Sequence, residues 1–150
     1  MRPLVVSALS IVSAIGRGKA ETVAALRKRQ SGLRPCDFLD ATSGGYIGRV
    51  VGLESHRLPA EFARFECRNN QLADLALGTD GFADQVARAR ERYGPARIAV
   101  VLGTSTSGVL ASEEAYRERD AVSGSLPAGY DFEHTHDFFS LARFWAPHVA

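Results

Sequence analysis

The chain has 150 residues, of which 45% are hydrophobic and 23% charged, and its 18 basic side chains nearly balance 17 acidic ones. This length and composition are typical of one soluble globular domain, and they exclude a long disordered or fibrous chain. The near-neutral charge gives no electrostatic reason to expect a nucleic-acid or membrane-surface partner, and no stretch approaches the ~20 apolar residues of a membrane span. Two cysteines are too few for a disulfide framework or a zinc site with four thiolates.

The first half of the chain predicts a strand, a helix and a poorly defined region. Residues 4–9 are a short apolar run followed by a turn containing Ser and Gly, which is typical of a buried strand. Residues 20–30 have helical spacing, and Gly32 is placed for a left-handed C-terminal cap. Between residues 33 and 66 the pattern is weak, and residues 44–51 suggest a strand with glycine punctuation.

The second half of the chain alternates helix and strand more clearly. Residues 67–93 have the period of one helix, although Gly78 and Gly81 fall inside it. Residues 98–102 are continuously apolar, so we expect a strand buried on both faces, as in a parallel sheet covered by helices. The next helix is expected to begin near Val109.

The C-terminal part predicts a loop followed by an aromatic-rich amphipathic helix. Residues 120–136 are rich in Gly, Ser, Pro and Asp, as loops are. The last segment concentrates aromatic side chains whose burial needs a partner surface, so we expect the chain to be the front part of a larger protein. These side chains are Phe138, Phe139, Phe144 and Trp145.

The most informative local motif is Gly-Thr-Ser-Thr-Ser-Gly at residues 103–108, between the predicted strand and helix. Open α/β sheets place their ligands at this edge, and the glycines and hydroxyls suit an oxygen-rich group. The loop lacks the Gly-Lys-Ser/Thr of a P-loop, the G-x-G-x-x-G of a dinucleotide site and the second glycine of a nucleophile elbow. Spacing alone favours a turn whose Ser and Thr side chains cap the next helix.

A second cluster contains two histidines at i and i+2 with nearby carboxylates, a combination that can hold a metal. Because no further ligand pair stands at a recognised spacing, a solvated loop is the favoured interpretation and no metal site is predicted. The cluster consists of Asp131, Glu133, His134, His136 and Asp137.

The remaining histidines and the cysteines give weaker indications of a site. His56 and His148 are isolated in the sequence and are expected to be structural or exposed. Cys36 and Cys67 do not lie in a glycine-rich strand-to-helix turn, so we expect them to be packing residues rather than nucleophiles.

Four segments, in order along the chain, resemble the elongating β-ketoacyl-acyl-carrier-protein synthases. Residues 4–16 are similar to the family's opening strand and turn, V-V-V/I-T-G-L-G-x-V-S-x-x-G, and residues 23–32 resemble its next helix, which ends in S-G. Residues 97–108 are similar to the segment R-x-G-x-x-x-G-S-G-x-G-G. Phe138-Phe139 begin a segment like the one just before the nucleophile strand. The likeness is specific as an ensemble, and no single motif is decisive.

The sequence departs from the family pattern in two motifs. The usual T-G-L-G after the first strand is Ser-Ala-Leu-Ser at residues 7–10, and Ser105 and Ser107 replace two glycines of the loop. These changes suggest a divergent branch, such as one that serves polyene or other secondary-metabolite acyl chains. They leave the acyl-chain specificity open.

The resemblance implies an α/β fold, namely the N-terminal half of a thiolase-like layered α-β-α-β-α fold that is incomplete in this chain. Residues 1–150 would form part of the synthase's N-terminal domain, truncated before the nucleophile. The implied reaction is decarboxylative Claisen condensation of an acyl thioester with malonyl-carrier protein, in fatty-acid, polyene or polyketide-type biosynthesis, without cofactor or metal. The implied partners are acyl carrier protein carrying acyl and malonyl groups, and a second subunit, in a cytoplasmic homodimer or a heterodimer with a paralogous synthase.

The resemblance carries over few functional residues. The catalytic cysteine, histidines and lysine are expected beyond residue 150, so none is assigned here and the chain alone is expected to be inactive. Thr106 falls at the variable position that lines the family's acyl pocket, and Phe138 and Phe139 match a segment near the pocket and the dimer interface. A helix-capping role is the alternative for Thr106. The full set of acyl-pocket candidates is Thr104, Ser105, Thr106 and Ser107.

Two other interpretations stay open at this point. One is a non-catalytic, chain-length-factor-like subunit that pairs with a synthase, and the residue at the nucleophile position distinguishes it from a synthase. The other is a free-standing small α/β binding domain that uses residues 103–108 for a phosphate or nucleotide. That domain would fold cooperatively as a monomer.

Overall fold

The computed structural model describes residues 3–38 and 44–149, which form a mixed α/β fold as expected. The chain divides into two compact units. The first unit comprises Met1–Ser55 and Leu75–Gln85, and the second comprises His56–Asp74 and Val86–Ala150. No helix within the described ranges has the length and apolar character that crossing a bilayer requires.

Two short antiparallel hairpins and one helix build most of the first unit. Strand β1 (Val12–Ser13) pairs with β2 (Gly16–Arg17), and helix α1 (Lys19–Arg27) follows directly. Strand β3 (Leu33–Pro35) pairs with β4 (Tyr46–Gly48). Strand β4 lies within residues 44–51, where the sequence suggested a strand.

Helix α1 confirms the predicted helix, but its end is built differently from the prediction. Arg29, not Gly32, adopts the left-handed conformation after the helix, with φ of 53°. The N–H of Arg29 donates to the Leu26 carbonyl at 3.0 Å. Gly32 is instead required for close approach, because a Cβ there would lie 2.4 Å from the Ala14 carbonyl oxygen.

The single helix predicted over residues 67–93 is two helices, α2 (Arg68–Leu77) and α3 (Phe82–Tyr93). Between the two helices, Asp80 and Gly81 adopt left-handed backbone conformations, with φ values of 60° and 67°. The Asp80 carboxylate accepts the backbone N–H of Lys19 at 3.0 Å, which explains why the break is stable. The glycines that fell inside the helical period therefore mark a helix boundary.

Neither predicted buried strand forms in the part of the chain that the structure describes. Residues 4–9 and 98–102 belong to no strand, and the prediction that 98–102 is buried on both faces is wrong. Leu4 is 99% exposed and Val101 is 91% exposed. An apolar run favours burial, but a strand also needs a neighbouring backbone to satisfy its N–H and C=O groups.

Three helices of the second unit follow the loop at residues 103–108. Helix α4 (Val109–Arg117) begins where predicted, and α5 (Phe132–Thr135) is a single turn inside the predicted loop 120–136. Helix α6 (Ser140–Val149) confirms the predicted C-terminal helix.

The core of the second unit surrounds Phe144 of α6, which is fully buried beside Leu58 and Leu141. The Phe62 ring packs edge-on against Phe144, with ring centroids 5.2 Å apart. The expectation that the C-terminal aromatic residues need a partner surface is therefore wrong for Phe144 and for Trp145, which packs against the same cluster. Phe138 and Phe139 remain largely exposed.

This contrast predicts unequal effects of two Phe-to-Ala substitutions. Phe144→Ala leaves a cavity in the core and is expected to lower the free energy of unfolding by about 3–5 kcal/mol. Phe139→Ala removes an exposed ring and is expected to change it by no more than about 0.5 kcal/mol. Urea denaturation followed by circular dichroism measures both, and equal losses would contradict the assignment of Phe144 to the core.

Candidate functional site

Two of the four hydroxyl side chains in the loop at residues 103–108 form hydrogen bonds that fix the loop to neighbouring residues. Thr104 Oγ1 donates to Asn69 Oδ1 and accepts the Ser107 backbone N–H, both at 3.2 Å. Ser107 is buried, and its Oγ donates to the Asp137 carbonyl at 3.2 Å. Ser105 and Thr106 are exposed. The loop therefore separates two inward side chains from two that face outward.

The end of this loop imposes strict backbone requirements. Ser107 has φ of 47°, in the left-handed region that favours glycine. A Cβ at Gly108 would lie 2.1 Å from the Thr135 carbonyl oxygen and 3.2 Å from Cys67 Sγ. By contrast, a Cβ at Gly103 would meet nothing within 4 Å. The glycine at position 108 is thus fixed by packing, whereas the glycine at 103 is not.

Cys67, which directly precedes α2, lies against the Thr135 carbonyl group. Its Sγ donates to the Thr135 carbonyl at 3.4 Å, and the residue is buried. Burial raises the pKa of the Cys67 thiol, and the backbone N–H groups of Asn70 and Asn69 offset this only in part. A raised pKa leaves little thiolate near neutral pH, so this setting suits packing rather than nucleophilic attack. Cys36 is half-buried, with its Sγ 4.0 Å from the Phe38 carbonyl oxygen.

The buried side-chain amide of Asn70 connects α2 with Ser140, the first residue of α6, and sequence analysis did not identify it. Asn70 is fully buried, and its Nδ2 donates to the Phe65 carbonyl at 2.9 Å and to Ser140 Oγ at 3.1 Å. Ser140 Oγ in turn donates to the His134 carbonyl. No periodicity or motif distinguishes the buried Asn70 from its half-buried neighbour Asn69, because the difference lies in the tertiary contacts.

The cluster around residues 131–137 is a capped helical turn and not simply a solvated loop. Asp131 caps α5, since its Oδ1 accepts the His134 backbone N–H at 3.2 Å and contacts His134 Nδ1 at 2.8 Å. Arg64 donates to Asp131 Oδ2 at 3.0 Å. The hydrogen bond from the His134 side chain, followed by that from Arg64, holds the pKa of Asp131 below its usual value. The Asp131 carboxylate therefore stabilises α5 and the neighbouring Arg64 side chain.

The two histidines of this cluster enter separate hydrogen-bond networks. His136 Nδ1 contacts Ser112 Oγ, which also contacts the Tyr130 hydroxyl. His134 instead packs its ring against Phe65, with centroids 4.9 Å apart. Across residues 3–38 and 44–149, no group of three His, Cys, Asp or Glu side chains is arranged to hold a metal ion.

His56, which stands alone in the sequence, is paired with Asp74 in the structure, which fits the structural role expected as one of its two alternatives. His56 Nε2 lies 2.7 Å from Asp74 Oδ2, and both side chains are largely buried. Gln71 donates to the His56 carbonyl at 3.0 Å, which fixes the backbone at the same place. The side chain of His148 lies outside the described residues.

The pocket candidates thus fall into two groups. Thr104 and Ser107 are occupied by hydrogen bonds within the second unit, while Ser105 and Thr106 have exposed positions. Phe138 and Phe139 are exposed in the short stretch before α6, where the Phe139 N–H donates to Asp137 Oδ1 at 3.1 Å. A helix-capping role for Thr106 has no support here, since the cap of α4 is Gly108 and makes no side-chain hydrogen bond.

The chain was compared with known proteins at the level of sequence and of fold. No protein-family model matches it, and no curated protein or solved structure matches it. Functional interpretation therefore rests on the motifs of the chain and on the geometry of its own residues.

The two cysteines are expected to differ in reactivity. Because burial raises its pKa, Cys67 should react with a disulfide reagent at pH 8 at least about tenfold more slowly than Cys36 in the folded chain. Unfolding in guanidinium should make both thiols react rapidly. Stopped-flow absorbance with Cys36→Ser and Cys67→Ser variants assigns each phase, and rapid modification of folded Cys67 would contradict the packing role.

Two glycine substitutions in one loop test the close approach at Thr135. Gly108→Ala must displace the Thr135 carbonyl and is expected to lower the free energy of unfolding by about 3 kcal/mol. Gly103→Ala, the matched control, has free space around its Cβ and should change it by no more than about 0.5 kcal/mol. Chemical denaturation measures both values, and a neutral Gly108→Ala would mean that the loop does not pack on α5 in this way.

Proposed function

We propose that the chain is the N-terminal part of a β-ketoacyl-acyl-carrier-protein synthase with a thiolase-like fold. Its role would be to contribute one wall of the acyl pocket and part of the layered scaffold. The reaction served would be the decarboxylative condensation of an acyl thioester with malonyl-carrier protein. The observation that carries the proposal is that the backbone requires glycine, or a glycine-like conformation, at four of the positions where the family's motifs have glycine.

Four positions show this requirement. Added Cβ atoms would lie 2.7 Å from Glu21 Cβ at Gly16, 2.4 Å from the Ala14 carbonyl at Gly32 and 2.1 Å from the Thr135 carbonyl at Gly108. The fourth position, Ser107, replaces a family glycine and keeps a left-handed φ of 47°. Gly103 also matches a family glycine but has free space around its Cβ, so the requirement holds at these four positions and not throughout the motifs.

The exposed apolar segments give further support. In the family, residues 4–9 and 98–102 would correspond to sheet strands, which need neighbours on both edges and cover on both faces. In the described residues both segments lack strand partners. A larger layered fold would supply the missing neighbours, so the proposal explains why such apolar sequences are exposed in this polypeptide.

The chemistry assigned to this chain is positioning rather than catalysis. Covalent capture of the acyl group by a cysteine divides one difficult condensation into two easier steps, and hydrogen-bond donors stabilise the thioester oxygen as charge develops. Cys36 and Cys67 do not match the family's nucleophile, and the catalytic groups are assigned to polypeptide that follows residue 150. Ser105 and Thr106 are the side chains of the loop that remain available to contact an acyl chain.

Translation of the reading frame past the Ala150 codon is the direct test. A cysteine in a strand-to-helix turn soon after, with histidine motifs further on, would support the synthase. Another residue at the cysteine position would instead favour a chain-length-factor-like subunit. A stop codon at that point would overturn the catalytic assignment for the gene product. The 150-residue polypeptide alone is expected to give no condensation of acyl- and malonyl-carrier protein, and turnover by it would also overturn the proposal.

Thr106 offers a test of the pocket in the complete gene product. Thr106→Phe adds bulk at an exposed loop position and is expected to reduce kcat/KM for the longest accepted acyl chain by about tenfold or more relative to short chains. Val122→Phe, a change of similar size at a 97% exposed position, is the control and should leave the profile unchanged. An unchanged profile for Thr106→Phe would remove Thr106 from the pocket.

A further inference from the structure

The side chain of Asn69 links the loop at residues 103–108 to the buried side chain of Asn70. Asn69 Oδ1 accepts the Thr104 hydroxyl at 3.2 Å, and Asn69 Nδ2 donates to Asn70 Oδ1 at 3.3 Å. We propose that Asn69 is a positioning residue, which orients this loop and thereby takes part in selecting the acyl chain. The role in selection rests on the proposed function, whereas the effect of Asn69 on the loop can be tested separately.

The inner end of this series of hydrogen bonds is fixed by buried partners. Asn70 is fully buried, and its Nδ2 donates to the Phe65 carbonyl at 2.9 Å and to Ser140 Oγ at 3.1 Å. Ser140 is also fully buried and donates onward to the His134 carbonyl. Because moving the Asn70 amide would leave buried polar groups unpaired, at a cost in free energy, this amide holds Asn69 from a fixed position.

The outer end of the series supports the turn of the loop. The Thr104 hydroxyl donates its single hydrogen to Asn69, so its lone pairs are available to accept the Ser107 backbone N–H at 3.2 Å. Ser105 and Thr106 lie between these two fixed residues and form the exposed tip of the loop. The Asn69 acceptor therefore favours the Thr104 rotamer that supports the turn, and through it the orientation of the tip.

The residue type at position 69 fits this double contact. A side-chain amide carries an acceptor oxygen and a donor nitrogen, so it can accept from a hydroxyl and donate to the oxygen of a second amide. A carboxylate at this position would direct a second acceptor at the Asn70 oxygen, and an apolar side chain would satisfy neither neighbour. Asn69 is half-buried on α2 and outside the loop, so its effect on an acyl chain acts through the loop.

Acyl-chain profiles of the complete gene product test the role in selection. Asn69→Ala is expected to change the ratio of kcat/KM for the longest accepted acyl chain to that for short chains by about threefold or more, because the tip loses its fixed orientation. Thr104→Val removes the hydroxyl and should have the same effect, whereas Thr104→Ser restores the hydroxyl and should restore the ratio. Gln85→Ala, which removes an amide at an exposed position of α3, is the control and should leave the ratio unchanged. A loss of activity that is equal for all chain lengths in Asn69→Ala would overturn the role in selection.

Hydrogen exchange at the Ser107 amide tests the positioning itself and does not require synthase activity. This N–H donates to Thr104 Oγ1, so it should exchange at least about tenfold faster in Asn69→Ala and in Thr104→Val, but not in Thr104→Ser or in Gln85→Ala. Unchanged exchange at Ser107 in Asn69→Ala would overturn the inference, whether or not the gene product condenses acyl groups. A gene product without condensing activity would overturn the proposed function and with it the role in selection, while the exchange result would still decide whether Asn69 positions the loop.

Discussion

The carbonyl of Thr135 is the point on which the arrangement of the second unit depends. It accepts the Cys67 thiol from the start of α2, and the Gly108 backbone at the start of α4 lies so close to it that no side chain fits there. Three elements therefore meet at one oxygen atom, at the end of the single helical turn α5. A change in any of them must move the other two, because close-packed interiors transmit displacements of a few tenths of an ångström.

The loop at residues 103–108 has the composition of a ligand site, but this packing gives part of it a structural role. Thr104 and Ser107 satisfy groups of the second unit, which leaves Ser105 and Thr106 at the surface. The base of the loop is therefore held by hydrogen bonds and close packing, whereas its tip is exposed. Ser105 and Ser107 differ in backbone conformation, because only Ser107 is left-handed.

Helix boundaries were predictable from the sequence where an apolar helical spacing begins or ends beside a glycine or proline. The start of α4 after Gly108 and the end of α3 before Gly94-Pro95 illustrate this, because both depend on local chemistry. The break at Asp80 was missed because Asp80 is held by the backbone of Lys19, which is distant in sequence. Asn70, Ser112 and the pair of His56 with Asp74 were missed for the same reason: each gains its role from a tertiary contact that spacing does not reveal.

The two failed strand predictions have a different physical cause. A helix satisfies its own backbone hydrogen bonds, whereas a strand is defined by its neighbour. Residues 4–9 and 98–102 have the composition of strands, and in the described residues they lack the neighbour. Their sequences therefore specify a strand only in the presence of additional polypeptide. The layered synthase fold proposed above would supply that polypeptide within one gene product. The physical requirement is the same for both segments, since an exposed apolar backbone with unsatisfied N–H and C=O groups lowers its free energy by pairing with a neighbouring strand.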